Sequence, residues 1–185
     1  MENYFKRNKI DVIEHLTPIV KTLKKGALIT TKSGDEVNTM TISWGKIGIE
    51  WNKLIFTAYI RTGRHTHKML EENGEFTINI NPEGKVGKIL GFCGTKSGSE
   101  INKIEAMNLT TVEGNKVSVP AIAELPLTLE CKVVYKQLQD RNAISKDYIE
   151  QFYPQDVASD YHSANQDFHT MFYGEIVDAY ILEKE

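Results

Sequence analysis

Positions 61 to 68 read Arg-Thr-Gly-Arg-His-Thr-His-Lys. Two arginines, two threonine hydroxyls and a lysine lie within eight residues, just where an apolar run gives way to a helical pattern. The first amides of a helix have no intrahelical acceptor and carry partial positive charge, so they attract anions. Arginine adds a planar fork that matches phosphate oxygens. One reading is a phosphate-binding segment, and the other is a solvated turn before a charged helix start.

Three further segments could do chemistry. Asn38-Thr39-Met40-Thr41-Ile42-Ser43-Trp44-Gly45 alternates in period two. Met40, Ile42 and Trp44 share one face of a strand, and Thr39, Thr41 and Ser43 share the other. That hydroxyl face is either wet or set against the polar edge of a flat ligand. Cys93-Gly-Thr-Lys-Ser-Gly-Ser99, with Lys103 soon after, brings small residues and a cation together. Such a stretch lets main chain approach a ligand, and it also makes ordinary loops. His169-Thr-Met-Phe-Tyr-Gly-Glu175 places a histidine at the start of a final strand, where a structural role is the commoner one.

Other chemistries lack their patterns. No Gly-x-Gly-x-x-Gly follows a strand, and the glycines and lysine of residues 91–98 miss the Walker spacing. Cys93 and Cys131 are too far apart for a zinc pair and are expected to be free thiols. His65 and His67 would share one side of a strand but not of a helix, and no metal site is expected from them. Nothing suggests a hydrolytic triad.

The elements that must carry these residues are mostly strands. Residues 9–23 show helical apolar spacing, with Pro18 expected to end or kink the helix. Residues 27–31 and 37–44 form a hairpin about a turn at 32–36. Residues 53–60 read as a strand buried on both faces, and 65–73 as a helix stopped near Gly74. A strand at 75–80, short helices within 82–94 and 100–107, a hairpin at 109–119 turning at 113–115, and a long strand at 127–139 follow. Residues 140–168 change character and read as an insertion, with a helix at 145–152. A last strand runs over 170–182. Hairpins rather than strict strand–helix alternation argue for an antiparallel barrel or sandwich with peripheral helices.

Composition sets the remaining bounds. The 185 residues suit one domain, with 41% apolar and 25% charged residues. A net charge of -3, from 22 basic and 25 acidic residues, gives no basic excess for a nucleic-acid partner. No apolar run reaches the ~20 residues of a membrane span. The opening MENYFKRNKID lacks a secretory apolar segment, so a cytoplasmic location is expected.

Taken in order, the four segments resemble the flavin reductase-like, FMN-binding split-barrel family, nearest its flavoredoxin branch. The resemblance runs from about Gly26 to Leu182. It is carried by N-x-M-T-x-S-W-G at 38–45, R-x-x-R-x-T at 61–66, C-G-T-x-S-G with a following lysine at 93–103, and H-T-x-x-x-G-E-I at 169–176. It implies a mainly β, six-stranded antiparallel Greek-key split barrel with peripheral helices, forming a homodimer with non-covalent FMN near the interface. It implies that Asn38, Thr39, Met40, Thr41, Ile42, Ser43 and Trp44 line the flavin ring, and that Arg61, Arg64 and Thr66 hold the phosphate side. Cys93, Gly94, Thr95, Ser97 and Lys103 match cofactor-binding positions, and His169 matches a position beside the ring that meets nicotinamide or a partner flavin. The chain departs from many relatives at Thr62-Gly63, where they carry Pro-Ser, at His65, where they carry an aromatic, and at Ser99, where they often carry arginine.

The implied activity is an NAD(P)H-dependent reduction of flavin or another small acceptor, with NADH or NADPH as donor and the cofactor supplying the chemistry. The alternative is a non-enzymatic FMN electron carrier that serves protein partners. The insertion bears on the choice: a closed lid suits small acceptors, and an open flavin edge suits a protein.

Overall fold

A computed structural model describes residues 4–157 and 165–185. Part of the segment expected to be an insertion, with His162, lies outside the described residues. In chain order the elements are β1 (Phe5–Lys9), α1 (Leu16–Leu23), β2 (Ala27–Ser33), β3 (Glu36–Ile42), β4 (Gly45–Glu50) and β5 (Lys53–Arg61). Then come α2 (His65–Glu72), β6 (Glu75–Ile80), α3 (Gly87–Thr95), α4 (Lys103–Ala106), β7 (Thr111–Val112) and β8 (Ala121–Ile122). The chain closes with β9 (Leu127–Leu138), a 3₁₀ turn (Arg141–Ala143), α5 (Lys146–Phe152) and β10 (His169–Lys184).

The main sheet runs β3-β2-β6-β9-β10-β5-β4, every described ladder is antiparallel, and β1 adds to β10. Its two end strands, β3 and β4, are joined by Ser43 and Trp44 alone. A two-residue link between the ends of a sheet forces it to roll, because a flat sheet would hold those strands far apart. The result is a barrel with a seam at Ser43-Trp44. This bears out the mainly β split barrel. The six long strands marked by the sequence are β2, β3, β5, β6, β9 and β10; β1 and β4 complete the sheet.

Several elements differ from expectation for identifiable reasons. Strand β4 was hidden because it has only two large apolar residues, Ile47, which packs on the core, and Ile49, which is 72% exposed. Trp51 and Asn52 both take positive φ, 51° and 57°, as the two central residues of a tight hairpin between β4 and β5. Pro18 neither ends nor kinks α1, since it falls in the first turn, where its missing N–H costs nothing. The hairpin expected at 109–119 is instead a two-residue pairing of β7 with β8 across a longer loop.

The core fills the rolled sheet. Phe56, Phe76 and Phe172 are fully buried there among aliphatic side chains of β2, β6 and β9. Gly174 of the last motif belongs to this core: a Cβ there would meet the Phe76 ring at 2.5 Å. A second cluster of Leu28, Cys93, Leu109, Ile122 and Leu125 seats α3 and α4 on the outside of β2 and β3. Among the described residues, no helix is long and apolar enough to cross a membrane.

Candidate functional site

Two cavities lie end to end along β3 and share Met40, Arg64 and Gly94. The first, of about 210 Å³, sits at the barrel seam and is walled by Trp44, Tyr59, Arg61 and His169. The second, of about 70 Å³, is lined by the start of α2, the 94–98 loop and Lys103. Arg64, Lys96 and Lys103 line it; among the described residues no carboxylate does, although the backbone N–H of Gly63 at its edge donates to Asp167 Oδ2 at 2.8 Å.

Strand β3 builds the shared wall. Its apolar side chains, Met40 and Ile42, join the barrel core. Its hydroxyl side is covered at Thr39, half-buried at Thr41 and exposed only at Ser43. The Thr39 hydroxyl accepts from Thr30 at 3.1 Å and donates to the Ile29 carbonyl at 3.3 Å. Thr41 donates to the Leu90 carbonyl at 2.6 Å and so pins α3 to the strand. Thr41 still reaches the first cavity, along with Ile42 and Ser43, but Thr39 does not. The expectation that the whole hydroxyl face meets a ligand therefore gives way to a covered face with an open end.

Asn38 ties three motifs together. It is buried, and its side-chain amide donates to Thr66 Oγ1 at 2.9 Å. Its oxygen lies where a Cβ at Gly98 would fall, 2.1 Å away, so only glycine lets the loop approach. Cys93 and Thr95 flank that loop's first glycine. Cys93 is fully buried in the second cluster, so its thiol is not on the cavity wall; burial also raises its pKa. Its carbonyl instead accepts the Lys103 ammonium at 3.1 Å. Lys103 is itself buried, and desolvation lowers its pKa to about 8, with Arg64 adding to the shift. Thr95, Ser97 and Gly98 line the second cavity.

Of the two arginines, Arg64 lines both cavities and donates to Asn165 Oδ1 at 3.3 Å, while Arg61 lines the first and makes three hydrogen bonds to backbone carbonyls. The Arg61 guanidinium donates to the carbonyls of Phe152 at 2.9 Å, Asn165 at 2.9 Å and Asp167 at 2.6 Å. It also lies over the rings of Tyr153 and Trp44, at 5.0 and 6.0 Å. This departs from the expectation of a phosphate ligand: Arg61 ties Phe152 and the chain at Asn165 and Asp167 to the barrel. His65 and His67 fall on α2, the first paired with Glu36 at 2.7 Å and the second with Thr170 at 2.9 Å.

Trp44 faces the cavity and the segment at once. Its ring lies 4.8 Å from His169 and 5.2 Å, edge-on, from Phe152. His169 is buried, and burial reinforced by Arg61 lowers its pKa to about 4, so it is neutral near pH 7. Three site residues escaped the sequence reading. Tyr59 was absorbed into an apolar run, although it shares a strand face with Arg61 by period two. Tyr153 and Gln139 carry no local pattern; they reach His169 only through folding.

The match to the family model "Flavin reductase like domain" covers residues 24–185. The chain belongs to this family. A relative from Archaeoglobus fulgidus of uncharacterized function is 31% identical over 125 residues, and a second, from Pyrococcus abyssi, is 31% identical over 106. This flavin reductase-like chain spans 66% and 59% of the length of those curated relatives, and their matches cover 68% and 57% of it. Among solved structures it is similar to the flavoredoxin of Desulfovibrio vulgaris, with a TM-score of 0.62 at 23% identity, over 84% of this chain and 68% of that one. It is also similar to an FMN-binding protein from Thermus thermophilus, with a TM-score of 0.60 at 18% identity, over 84% and 69% of the two chains. These likenesses support the fold.

Proposed function

We propose that this chain binds FMN non-covalently in the paired cavities and acts as an oxidoreductase that uses NADH or NADPH to reduce flavin or another small acceptor. The observation that carries the reading is the division of one cleft into unlike ends. The second cavity offers cations, hydroxyls, close main chain and the start of α2, with no carboxylate among its described lining residues, which is the donor set a phosphate requires. The first is walled by Trp44, Tyr59 and His169, which suits a planar ring. Family membership raises the case for this ligand.

In this reading Arg64, Thr66, Ser97 and Lys103 hold the phosphate. Met40, Thr41, Ile42 and Ser43 border the ring, and Trp44 and His169 shape the space beside it. Bound FMN supplies the redox chemistry. The protein orients the ring, excludes water from part of it and needs no nucleophile of its own. The segment clamped by Arg61 walls the rim next to Trp44, which favours a small acceptor over a docked protein.

Dimerisation would fit an aromatic cluster on the same side of the sheet as the cavity wall, half-buried at Tyr59 and Tyr173 and exposed at Tyr135 and Trp51. Tyr59 holds Lys46 over its ring at 5.5 Å, and Tyr173, Tyr135 and Trp51 follow with centroid spacings of 5.1 and 6.3 Å. A second copy on that cluster would place the flavin near the interface.

Purified protein saturated with FMN and mixed with NADH or NADPH in a stopped-flow cell tests the activity. Rapid bleaching of the flavin band with one nucleotide is expected. A holoprotein that neither nucleotide bleaches would instead be the carrier form, reduced by a protein partner. Failure to retain added FMN would sink both readings.

A further inference from the structure

His169 is held by two residues that the proposed function does not use. The Tyr153 hydroxyl lies 2.8 Å from Gln139 Oε1 and 2.8 Å from His169 Nδ1. Gln139 stands one position beyond the end of β9, opposite the head of β10. Its backbone N–H donates to the His169 carbonyl at 3.0 Å, and its side-chain oxygen accepts from the His169 backbone N–H at 3.2 Å. That second bond fixes which end of the Gln139 amide faces the pair, because a flipped amide would set NH₂ against N–H.

Proton directions then follow. Gln139 Oε1 can only accept, so the single Tyr153 hydroxyl proton points to it. The Tyr153 oxygen is left as an acceptor for His169, so the imidazole proton resides on Nδ1. His169 Nε2 keeps a bare lone pair. No described residue bonds it, and every buried side-chain nitrogen or oxygen among the described residues has a partner. Nε2 is therefore not sealed away from solvent, and the cavity that His169 lines is the open space beside it.

We propose that Gln139 and Tyr153 are positioning residues that lock His169 in the Nδ1–H tautomer, so that the cavity presents Nε2 as an acceptor to an N–H donor of the bound ligand. Only the ligand half of this proposal rests on the flavin reading. The donor chemistry fits the ring imide of a flavin or the carboxamide of a nicotinamide. The surroundings keep the imidazole singly protonated: burial opposes a second proton most, and Arg61 with Arg64 adds to this against the pull of Asp167. Tyr153 is itself buried and stacked on Phe168 at 4.6 Å and 9°, which holds its hydroxyl in place.

The test is nitrogen NMR of the full chain carrying ¹⁵N-labelled histidine. Without ligand, His169 is expected to show a protonated Nδ1 and a bare Nε2. In Gln139→Met the Tyr153 proton loses its acceptor and turns to His169, so the tautomer should reverse to Nε2–H. In Tyr153→Phe the lock is lost and a mixture should appear. A wild-type Nε2–H ring, or the same tautomer in both well-folded variants, overturns the relay. Adding FMN, then NAD⁺ or NADP⁺, reads the ligand half. An Nε2 shift with FMN alone assigns the donor to the flavin, and a shift only after the nucleotide assigns it to the carboxamide. No shift in either case overturns the acceptor role. Flavin fluorescence from the same samples reports whether FMN binds at all. Its failure would sink the flavin reading, and the ligand half with it, but not the tautomer measured beforehand.

Discussion

The Asn38 side-chain oxygen fills the space that a Cβ at residue 98 would need, so these two residues, sixty positions apart, leave room only for glycine at 98 while Asn38 keeps its place. The contact is 2.1 Å to an ideal Cβ, and Asn38 is simultaneously bonded to Thr66. Gly98→Ala should push Asn38 away from Thr66 and open the second cavity. We expect a lower melting temperature and FMN affinity weaker by about tenfold, or ~1.4 kcal/mol. Fluorescence titration and a thermal melt read both, and unchanged values would show that the loop yields freely.

The two arginines of the same motif should separate in their effects. Arg64→Ala removes a charge-assisted phosphate contact and should weaken FMN binding by roughly 1.5–3 kcal/mol. Arg61→Ala removes the donors to Phe152, Asn165 and Asp167. Its main effect should be faster proteolytic cleavage of the segment after β9, with a smaller loss of FMN affinity. The opposite ranking would return Arg61 to the phosphate.

Lys103 should give the binding a pH dependence. Desolvation lowers its pKa to about 8, so in the empty site it is charged below that value and neutral above it. A phosphate dianion favours the charged form, and binding above pH 8 must take up a proton. FMN affinity should hold between about pH 6, above which the phosphate is a dianion, and about pH 8, and fall above that by up to tenfold per unit. Lys103→Met should bind more weakly near pH 7 but lack the decline. An equal decline in this variant would assign it to another group.

What the sequence shows of this site is the part written in local spacing. The start of α2, the strand β3 and the glycine loop each carry a short pattern with a physical meaning, and all three meet at the cavities. Long strands were legible because burial on one or both faces imposes a period. Strand β4 was not, since its side chains are largely exposed and nothing enforces alternation there. Thr39 and Thr41 mislead for a related reason. Period two says which side chains share a face, but not that α3 will cover it. Arg61 looks like a phosphate ligand until the fold brings three carbonyls to it. Tyr153 and Gln139 have no sequence mark at all, because their role depends on β9 and β10 ending side by side.

The aromatic cluster should govern assembly. Trp51 is 58% exposed and Tyr135 42%, in contact with each other. Exposed aromatic clusters of this kind mark interfaces. Trp51→Glu with Tyr135→Glu should shift a dimer to monomer in sedimentation, with the barrel intact by circular dichroism. A wild-type protein that sediments as a monomer would remove the second copy from this face.

His169 should also make stability fall in mild acid, with a sign fixed by its pKa. In the unfolded chain histidine titrates near 6.5, whereas in the fold burial and Arg61 lower the value to about 4. Between those values the unfolded state holds the extra proton, so stability rises with pH there. The favourable contribution is complete above about 6.5, shrinks as pH falls through that window, and is lost below about 4. A gap of this size corresponds to roughly 3 kcal/mol. His67 is shifted the same way by burial and adds to the trend, and protonation of Glu75 adds a loss at lower pH. A comparison with His169→Gln isolates the one residue, since the variant keeps every other titrating group. Denaturant unfolding at pH 7.5 and 4.5 should show wild type losing more stability than the variant by on the order of 2–3 kcal/mol. Equal losses would mean that the ring takes a proton in the folded state as readily as in the unfolded chain, and that neither burial nor Arg61 holds it neutral.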